Sequence, residues 1–413
     1  MSDPSQSVLI VGAGAFGLST ALFLARRAVM VLPRTSTRSS GRDMVTARCE
    51  LYVKARVDVI RYEQLALKAL PIWLEWTKTV HDASPADLPD GLTPEDDLLD
   101  LCGCMRLCEG EKETEYHRVN VESVTGGGRR ERIFLLKDEA DYKRALEEDE
   151  TEPYLHRATK MQRFGQLLNG NIHGFLDMDS GYTRADKVGV KFVLDEVAGK
   201  FDSFVRSGQT VLGVKTKDGV EHLADKTIVA CGGWTESIVP EVKGLLETTG
   251  GSVAFVDIPE DRPDLRKRFG PEEFCVWQLQ LGEGKVGTKW ALTERLEWED
   301  SIKFGYRAVK YTNYEPHPVT GHETPLNNVP KTALEAIKDN LRQVYPELAE
   351  IGITGAKHFA NSLEKKPDQF TQYWRWRSAK PGERANGLEE GEDGPRVLRK
   401  VELATEADWK FDI

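Results

Sequence analysis

Val8-Leu9-Ile10-Val11-Gly12-Ala13-Gly14-Ala15-Phe16-Gly17, running on into Leu18-Ser19-Thr20-Ala21-Leu22-Phe23-Leu24-Ala25-Arg26-Arg27, is the stretch that decides the fold. Four apolar residues predict a short buried strand, and good helix formers follow Gly17. Between them lies a G-x-G-x-x-G turn, the dinucleotide-binding fingerprint in its strand–turn–helix context. Gly12 allows the tight turn, Gly14 lets the backbone approach a pyrophosphate, and Gly17 lets the helix pack closely on the strand. With Ala15 and Phe16, the helix N-terminus offers free N–H groups and a positive dipole end to the phosphates. The next strand, Val29-Met30-Val31-Leu32, is expected to end in an acidic residue that holds a ribose. Pro33-Arg34 stands there instead.

The chain has 413 residues, enough for two or three domains with sizeable cores. Its 40% hydrophobic and 30% charged residues describe a soluble globular protein, and a formal net charge of −11 disfavours nucleic acid or an anionic membrane as partner. No apolar run approaches the roughly 18 residues that span a bilayer. The start of the chain carries no basic, apolar, cleavable pattern, and the end, Trp409-Lys410-Phe411-Asp412-Ile413, carries no peroxisomal tripeptide. A cytoplasmic protein is the expectation. Of six cysteines, Cys102, Cys104 and Cys108 cluster, and His117 follows. Their C-x-C-x3-C spacing is not a usual zinc pattern, so thiols in a reducing compartment are expected and no metal.

Further along, a helix is predicted from Tyr62 to about Val80, with Leu65, Leu67, Leu70, Trp73, Leu74 and Trp76 on its apolar side. Gly126-Gly127-Gly128-Arg129-Arg130 reads as a flexible surface turn and Glu147 to Glu152 as a solvated acidic face. Gly189 to Val193 reads as a strand; Thr210 to Lys217 and Val220 to Leu223 read as a hairpin turning at Asp218-Gly219. Ala224 to Ala230 is a buried strand that ends in Cys231-Gly232-Gly233-Trp234, with a helix starting near Thr235. Residues 251–258 and 300–312 are strands, with Ile302, Phe304 and Tyr306 on one face, and Lys331 to Val344 is a helix. A glycine at the carboxyl end of a parallel strand lets a cofactor lie against bare backbone. Coming some 200 residues after the fingerprint, it points to a two-part dinucleotide domain with a substrate domain inserted, a plan common in FAD enzymes.

These residues resemble the fungal branch of the sarcosine oxidase and fructosyl-amino-acid oxidase family, FAD-dependent amine oxidases with a D-amino-acid-oxidase-like fold. The likeness rests on Gly12 to Arg27, Tyr62 to Leu70, Ser180 to Lys187, Gly199 to Arg206, Ala224 to Pro240, Gly251 to Phe255, Ile302-Lys303-Phe304-Gly305-Tyr306-Arg307 with Lys310 to Asn313, and Trp374-Arg375-Trp376-Arg377. The resemblance implies an α/β chain: a Rossmann-like FAD domain with an inserted substrate domain of mixed and antiparallel sheet. The FAD domain is expected over residues 1–80, 180–245 and part of 345–378, the substrate domain over 81–179 and 246–344, and a polar C-terminal tail over 379–413. The implied reaction oxidises the C–N bond of a secondary amine or a glycated amino acid, such as sarcosine, pipecolate, saccharopine or a fructosyl amino acid. Dioxygen accepts the electrons, and imine and hydrogen peroxide are released. Gly12, Gly14, Ala15, Phe16, Gly17, Cys231, Gly232 and Trp234 would hold FAD. Lys303 would sit over the flavin and help dioxygen accept electrons, and Arg307 would bind a substrate carboxylate. The partners are then the small-molecule amine and O2, and the chain is expected to be a monomer.

The sequence departs from this pattern in four places. Pro33 replaces the acidic ribose ligand; residues 35–58 do not resemble the family; Lys187 runs almost directly into Gly189 where relatives carry a crossover helix; and Asn361-Ser362 runs directly into Leu363. The last gap removes the cysteine that bonds to flavin in relatives. Cys275 precedes the lysine motif instead of following it, so FAD without a covalent link is expected. Two other readings use the same departures. In one, the chain folds in part and holds no flavin. In the other, Arg34 meets the 2′-phosphate of NADP in a reductase.

Overall fold

The structure is a computed structural model that describes residues 7–12, 16–17, 20–21, 24, 31–33, 56–88, 92–110, 115–183, 201–232, 235–242, 249–270, 272–281, 289–296, 301–312, 329–361 and 394–411. Elements are numbered in chain order; β3 (Leu99–Asp100) pairs antiparallel with β7 (Tyr182–Thr183), and α2 (Glu115–Val124) and α6 (Pro263–Arg268) are short helices. β1 (Val8–Val11) runs parallel to β2 (Val31–Pro33) on one side and to β11 (Lys226–Val229) on the other, with Ile10 opposite both Pro33 and Ile228. Of the predicted second strand, Val29 and Met30 lie outside the described residues, and Val31 and Leu32 are in β2. Among the described residues β2 is an edge strand, where the missing N–H of Pro33 is tolerated.

β1 is buried on both faces, which explains its unbroken apolar run. Val8 and Ile10 pack with Ala230, Ala21, Leu24 and Ile228. Leu9 and Val11 pack with Val214, Phe201 and Phe204 of an antiparallel sheet made of β8 (Phe201–Ser207), β9 (Thr210–Thr216) and β10 (Glu221–Leu223). Ser7 fastens the start of β1 to the start of β11: its backbone N–H and its hydroxyl both donate to an Asp225 carboxylate oxygen at 2.7 Å. These bonds hold the Asp225 carboxyl below the usual range. The hairpin matches its sequence expectation, and the 189–193 strand lies outside the described residues.

The second layer is larger. Eight strands follow the order β16 (Gly355–Asn361), β12 (Thr249–Asp257), β15 (Ser301–Tyr311), β14 (Lys289–Leu296), β13 (Val276–Leu281), β4 (Cys104–Glu109), β6 (Ile172–Asp177) and β5 (Ile133–Leu135). All pairs are antiparallel except β13 with β4. Met105, Phe134, Leu176, Trp277, Ile302, Phe304 and Ala254 join one core with α7 (Lys331–Val344), whose Ala333, Leu334, Ile337, Leu341 and Val344 recur at helical spacing. Each of the larger side chains among these contributes roughly 1.5–3 kcal/mol by leaving water. The last described segment braces this helix: Lys338, 3% exposed, donates to the Asp408 carbonyl at 3.0 Å and lies over the Phe411 ring. The predicted helix at 62–80 is part of α1 (Arg56–His81), where Trp76 and Val80 pack against Leu92 and Leu98.

Two readings of charged segments are corrected. The acidic run is not merely a solvated face. Glu148, Asp149 and Glu152, at the end of α3 (Glu139–Thr151), surround Arg157, which is fully buried at the start of α4 (Arg157–Gly165). Nor is the glycine turn at 126–130 untethered. Arg129 pairs with Asp177 at 2.7 Å and with Asp179 at 2.9 Å, while Arg130 reaches Asp141. Runs of like charge in sequence conceal partners that arrive from elsewhere in the fold.

Asp141, 2% exposed, also accepts from the Leu135 backbone N–H at 2.7 Å and from Arg144 at 3.0 Å. Asp141→Ala strands all three donors. A loss of about 3 kcal/mol is expected in urea unfolding, at the low end for a buried pair because Arg130 stays half exposed. A loss under about 0.5 kcal/mol would refute this account of the β5–α3 corner.

Candidate dinucleotide and active site

The chain leaves β1 toward β2 on one side, and β11 stands on the other, so the carboxyl ends of β1 and β11 flank a topological switch point. Gly12 sits there with φ +112°, and a methyl group added to it would lie 2.2 Å from the Ala230 carbonyl oxygen. A methyl group at Gly17 would lie 1.9 Å from the Gly12 carbonyl oxygen. Only bare backbone fits at either position. The two strand ends are joined by the Ala230 N–H bond to the Val11 carbonyl at 2.7 Å and by the Cys231 thiol donating to the same oxygen at 3.2 Å. Gly232 follows with φ +54°, and α5 (Thr235–Ile238) begins just beyond.

The structure thus brings Gly12, Gly17, Cys231 and Gly232 together, with Phe16 exposed at the edge of the turn. Gly14, Ala15 and Trp234 lie outside the described residues. The glycines fit a dinucleotide turn: without a Cβ, Gly12 packs against the Ala230 carbonyl and Gly17 against the Gly12 carbonyl, the close packing such a turn needs to bring its backbone up to a pyrophosphate. β2 ends on Pro33 and brings no side-chain acceptor for a ribose.

Lys303 stands in the other layer. On β15 it is paired with Phe255 of β12 and Glu294 of β14, and it is half-buried. Ile302, Phe304 and Tyr306 alternate with it and are buried, as their spacing predicts. The face that carries Lys303 is therefore the one turned away from the large helical core. Arg307 follows where β15 and β12 fall out of register. Tyr306 opposes Ser252 and Tyr311 opposes Gly250, so extra residues of β15 bulge between them. Bulges of this kind re-aim side chains and are frequent beside active sites. The Arg307 side chain lies outside the described residues.

The same face holds a residue that the sequence reading missed. Arg106 on β4 is 8% exposed, and its Nη1 donates to Gln278 Oε1 at 3.3 Å. A lone arginine inside Cys104-Met105-Arg106-Leu107-Cys108 was the available signal. The nearby thiols are quiet. Burial pushes the Cys102 thiol well above its ordinary pKa and the Cys275 thiol up to about 12. Among the described residues, no group of His, Cys, Asp and Glu is arranged to hold a metal ion, and no helix is long and apolar enough to cross a membrane.

The glycine turn, the switch point and the second mixed sheet define a two-layer dinucleotide-dependent enzyme. The family described as DAO, FAD dependent oxidoreductase, matches residues 7–362, and the chain belongs to it. It is an FAD-dependent oxidoreductase, and the NADP reading of Arg34 falls with that match. Solved structures share the fold. A fructosyl peptide oxidase from E. terrenum superposes with a TM-score of 0.65 at 15% identity, covering 100% of this chain and 99% of that one. A thermally stable mutant of a fructosyl peptide oxidase gives 0.64 at 16% identity, over 99% and 100%. The fructosyl amine:oxygen oxidoreductase Amadoriase I from Aspergillus fumigatus gives 0.54 at 17% identity, over 88% and 77%. No curated protein sequence matches the chain.

Proposed function

We propose that this protein oxidises the C–N bond of a secondary amine or amino acid, with dioxygen as electron acceptor and imine and hydrogen peroxide as products. Bound FAD supplies the capacity to take up a hydride equivalent. The observation that carries the reading is the glycine cradle at the β1–β11 switch point, in a chain matched to an FAD-dependent family over residues 7–362. The solved structures of like fold include a fructosyl amine:oxygen oxidoreductase, in keeping with C–N oxidation.

In this reading Gly12, Gly14, Ala15, Phe16 and Gly17 hold the pyrophosphate, and Cys231, Gly232 and Trp234 line the second strand end. Lys303 keeps a fixed cation where electrons pass to dioxygen, so that developing negative charge meets a preorganised positive one. Arg307, from the bulge of β15, orients a substrate carboxylate by a two-pronged contact. Residues 1–80 and 180–245 with part of 345–378 form the dinucleotide domain, and 81–179 with 246–344 form the substrate domain. FAD is held without a covalent bond, and the protein works as a monomer on a small molecule.

The purified protein is expected to be yellow, with flavin absorption bands that bleach under a secondary amine without air and return with peroxide when oxygen is admitted. Acid precipitation should leave the colour in solution. A folded, colourless protein that takes up no added FAD would overturn the reading.

A further inference from the structure

We propose that Arg106 and Gln278 form an anion-binding subsite on the Lys303 face of the large sheet. It would receive a distal carboxylate, one separated from the oxidised nitrogen by a lysine-length chain, whereas Arg307 takes a carboxylate that adjoins that nitrogen. This deepens the oxidase reading and rests on it for the position of the reacting nitrogen.

Arginine stays protonated wherever it sits, so a buried one needs a counter-charge. Arg129 and Arg157 have theirs, in Asp177 and Asp179 and in Glu148, Asp149 and Glu152. Among the described residues no carboxylate pairs with Arg106, its Nε has no hydrogen-bond partner, and its one acceptor is the neutral Gln278 amide at a long 3.3 Å. Directly across the strand pair is Phe175, with the His117 ring packed on it at 5.6 Å, so the surroundings offer little solvation. A charge kept buried without a partner marks a place where a ligand completes the site.

The strand register fixes where that ligand must reach. Gln278 is paired with Arg106, and their row continues through β14 to Gly305. Gly305 is two residues from Lys303 and on the same face. The α-carbons of Lys303 and Arg106 are thus about 14 Å apart across the sheet and about 7 Å apart along the strands. The carboxylate of sarcosine or pipecolate adjoins the reacting nitrogen and cannot span this separation. An amine joined to its carboxylate through a lysine-length chain, as in saccharopine or an Nε-glycated lysine, can.

The test uses the full-length, flavin-loaded protein and a series of ω-(methylamino)alkanoates from sarcosine to 6-(methylamino)hexanoate, titrated calorimetrically, with peroxide release recorded separately. Affinity is expected to rise by about tenfold or more toward the long members, the worth of one charge-assisted hydrogen bond, and the methyl esters should show no rise. Arg106→Met should flatten the series. Gln278→Glu, nearly isosteric, should flatten it while raising the urea midpoint, because it supplies the missing carboxylate; it carries the test if Arg106→Met does not fold. A flat series in the unaltered protein, or a rise that survives both substitutions, overturns the subsite. A rise abolished by both substitutions, with no peroxide from any member, supports the subsite and overturns the oxidase reading instead.

Discussion

A Gly12→Ala protein is expected to purify without flavin and to unfold at clearly lower urea than the unaltered chain. Two costs combine. Gly12 has φ +112°, where an L side chain is strained by about 1–2 kcal/mol. The new methyl group would also lie 2.2 Å from the Ala230 carbonyl oxygen, a backbone atom that cannot rotate away. Relief requires the ends of β1 and β11 to separate, and such overpacking costs about 1–3 kcal/mol more. That movement breaks the 2.7 Å bond from Ala230 N–H to Val11 and tilts the helix N-terminus that should face the pyrophosphate. The combined loss is a sizeable part of the roughly 5–15 kcal/mol that holds a domain folded. Gly208→Ala is the control. Gly208 also has positive φ, +59°, but no atom lies within 4 Å of where its Cβ would be. That variant should lose about 1 kcal/mol and keep its flavin. If Gly12→Ala binds flavin fully and unfolds with the unaltered protein, the cradle is not where the dinucleotide sits.

What the sequence made legible was local. Gly12 and Gly17 announced a turn because the spacing of glycines, flanked by an apolar run and helix formers, reports on backbone geometry within a dozen residues. The helix at 331–344 was readable because five buried apolar positions recur at its own period. The alternation of Ile302, Phe304 and Tyr306 is enough by itself to place Lys303 on the opposite face of its strand. What escaped was long-range pairing. Arg157 is buried because Glu148, Asp149 and Glu152 fold back on it across a helix junction, and nothing in a stretch of acidic letters names that target. Arg106 escaped for the converse reason. Its distinguishing property is that, among the described residues, it meets a neutral amide and no carboxylate, and that shows only once β13 has been laid beside β4.

Lys303→Met is expected to leave reduction by the amine nearly unchanged while slowing reoxidation by dioxygen roughly 10²- to 10³-fold, the range seen when one preorganised charge-stabilising group is removed from an active site. The first electron passed to dioxygen creates a small anion. In water its charge is stabilised by solvent that must reorganise; beside a fixed ammonium group it is stabilised without that delay. Lys303 is held by both strand neighbours, Phe255 and Glu294, and is only half-buried, so methionine fills its volume with little damage to the sheet. A change in urea midpoint below about 1 kcal/mol is therefore expected. Lys303→Arg keeps the charge but spreads it over a planar group, and should restore part of the oxygen rate. Stopped-flow mixing of amine-reduced protein with oxygenated buffer separates the two half-reactions. If reoxidation is unaffected while reduction slows, Lys303 acts on the substrate and its role in oxygen activation is refuted. If both half-reactions are unaffected, the face of β15 that carries Lys303 is not the one turned to the flavin, and the side of the sheet on which substrate binds must be reassigned.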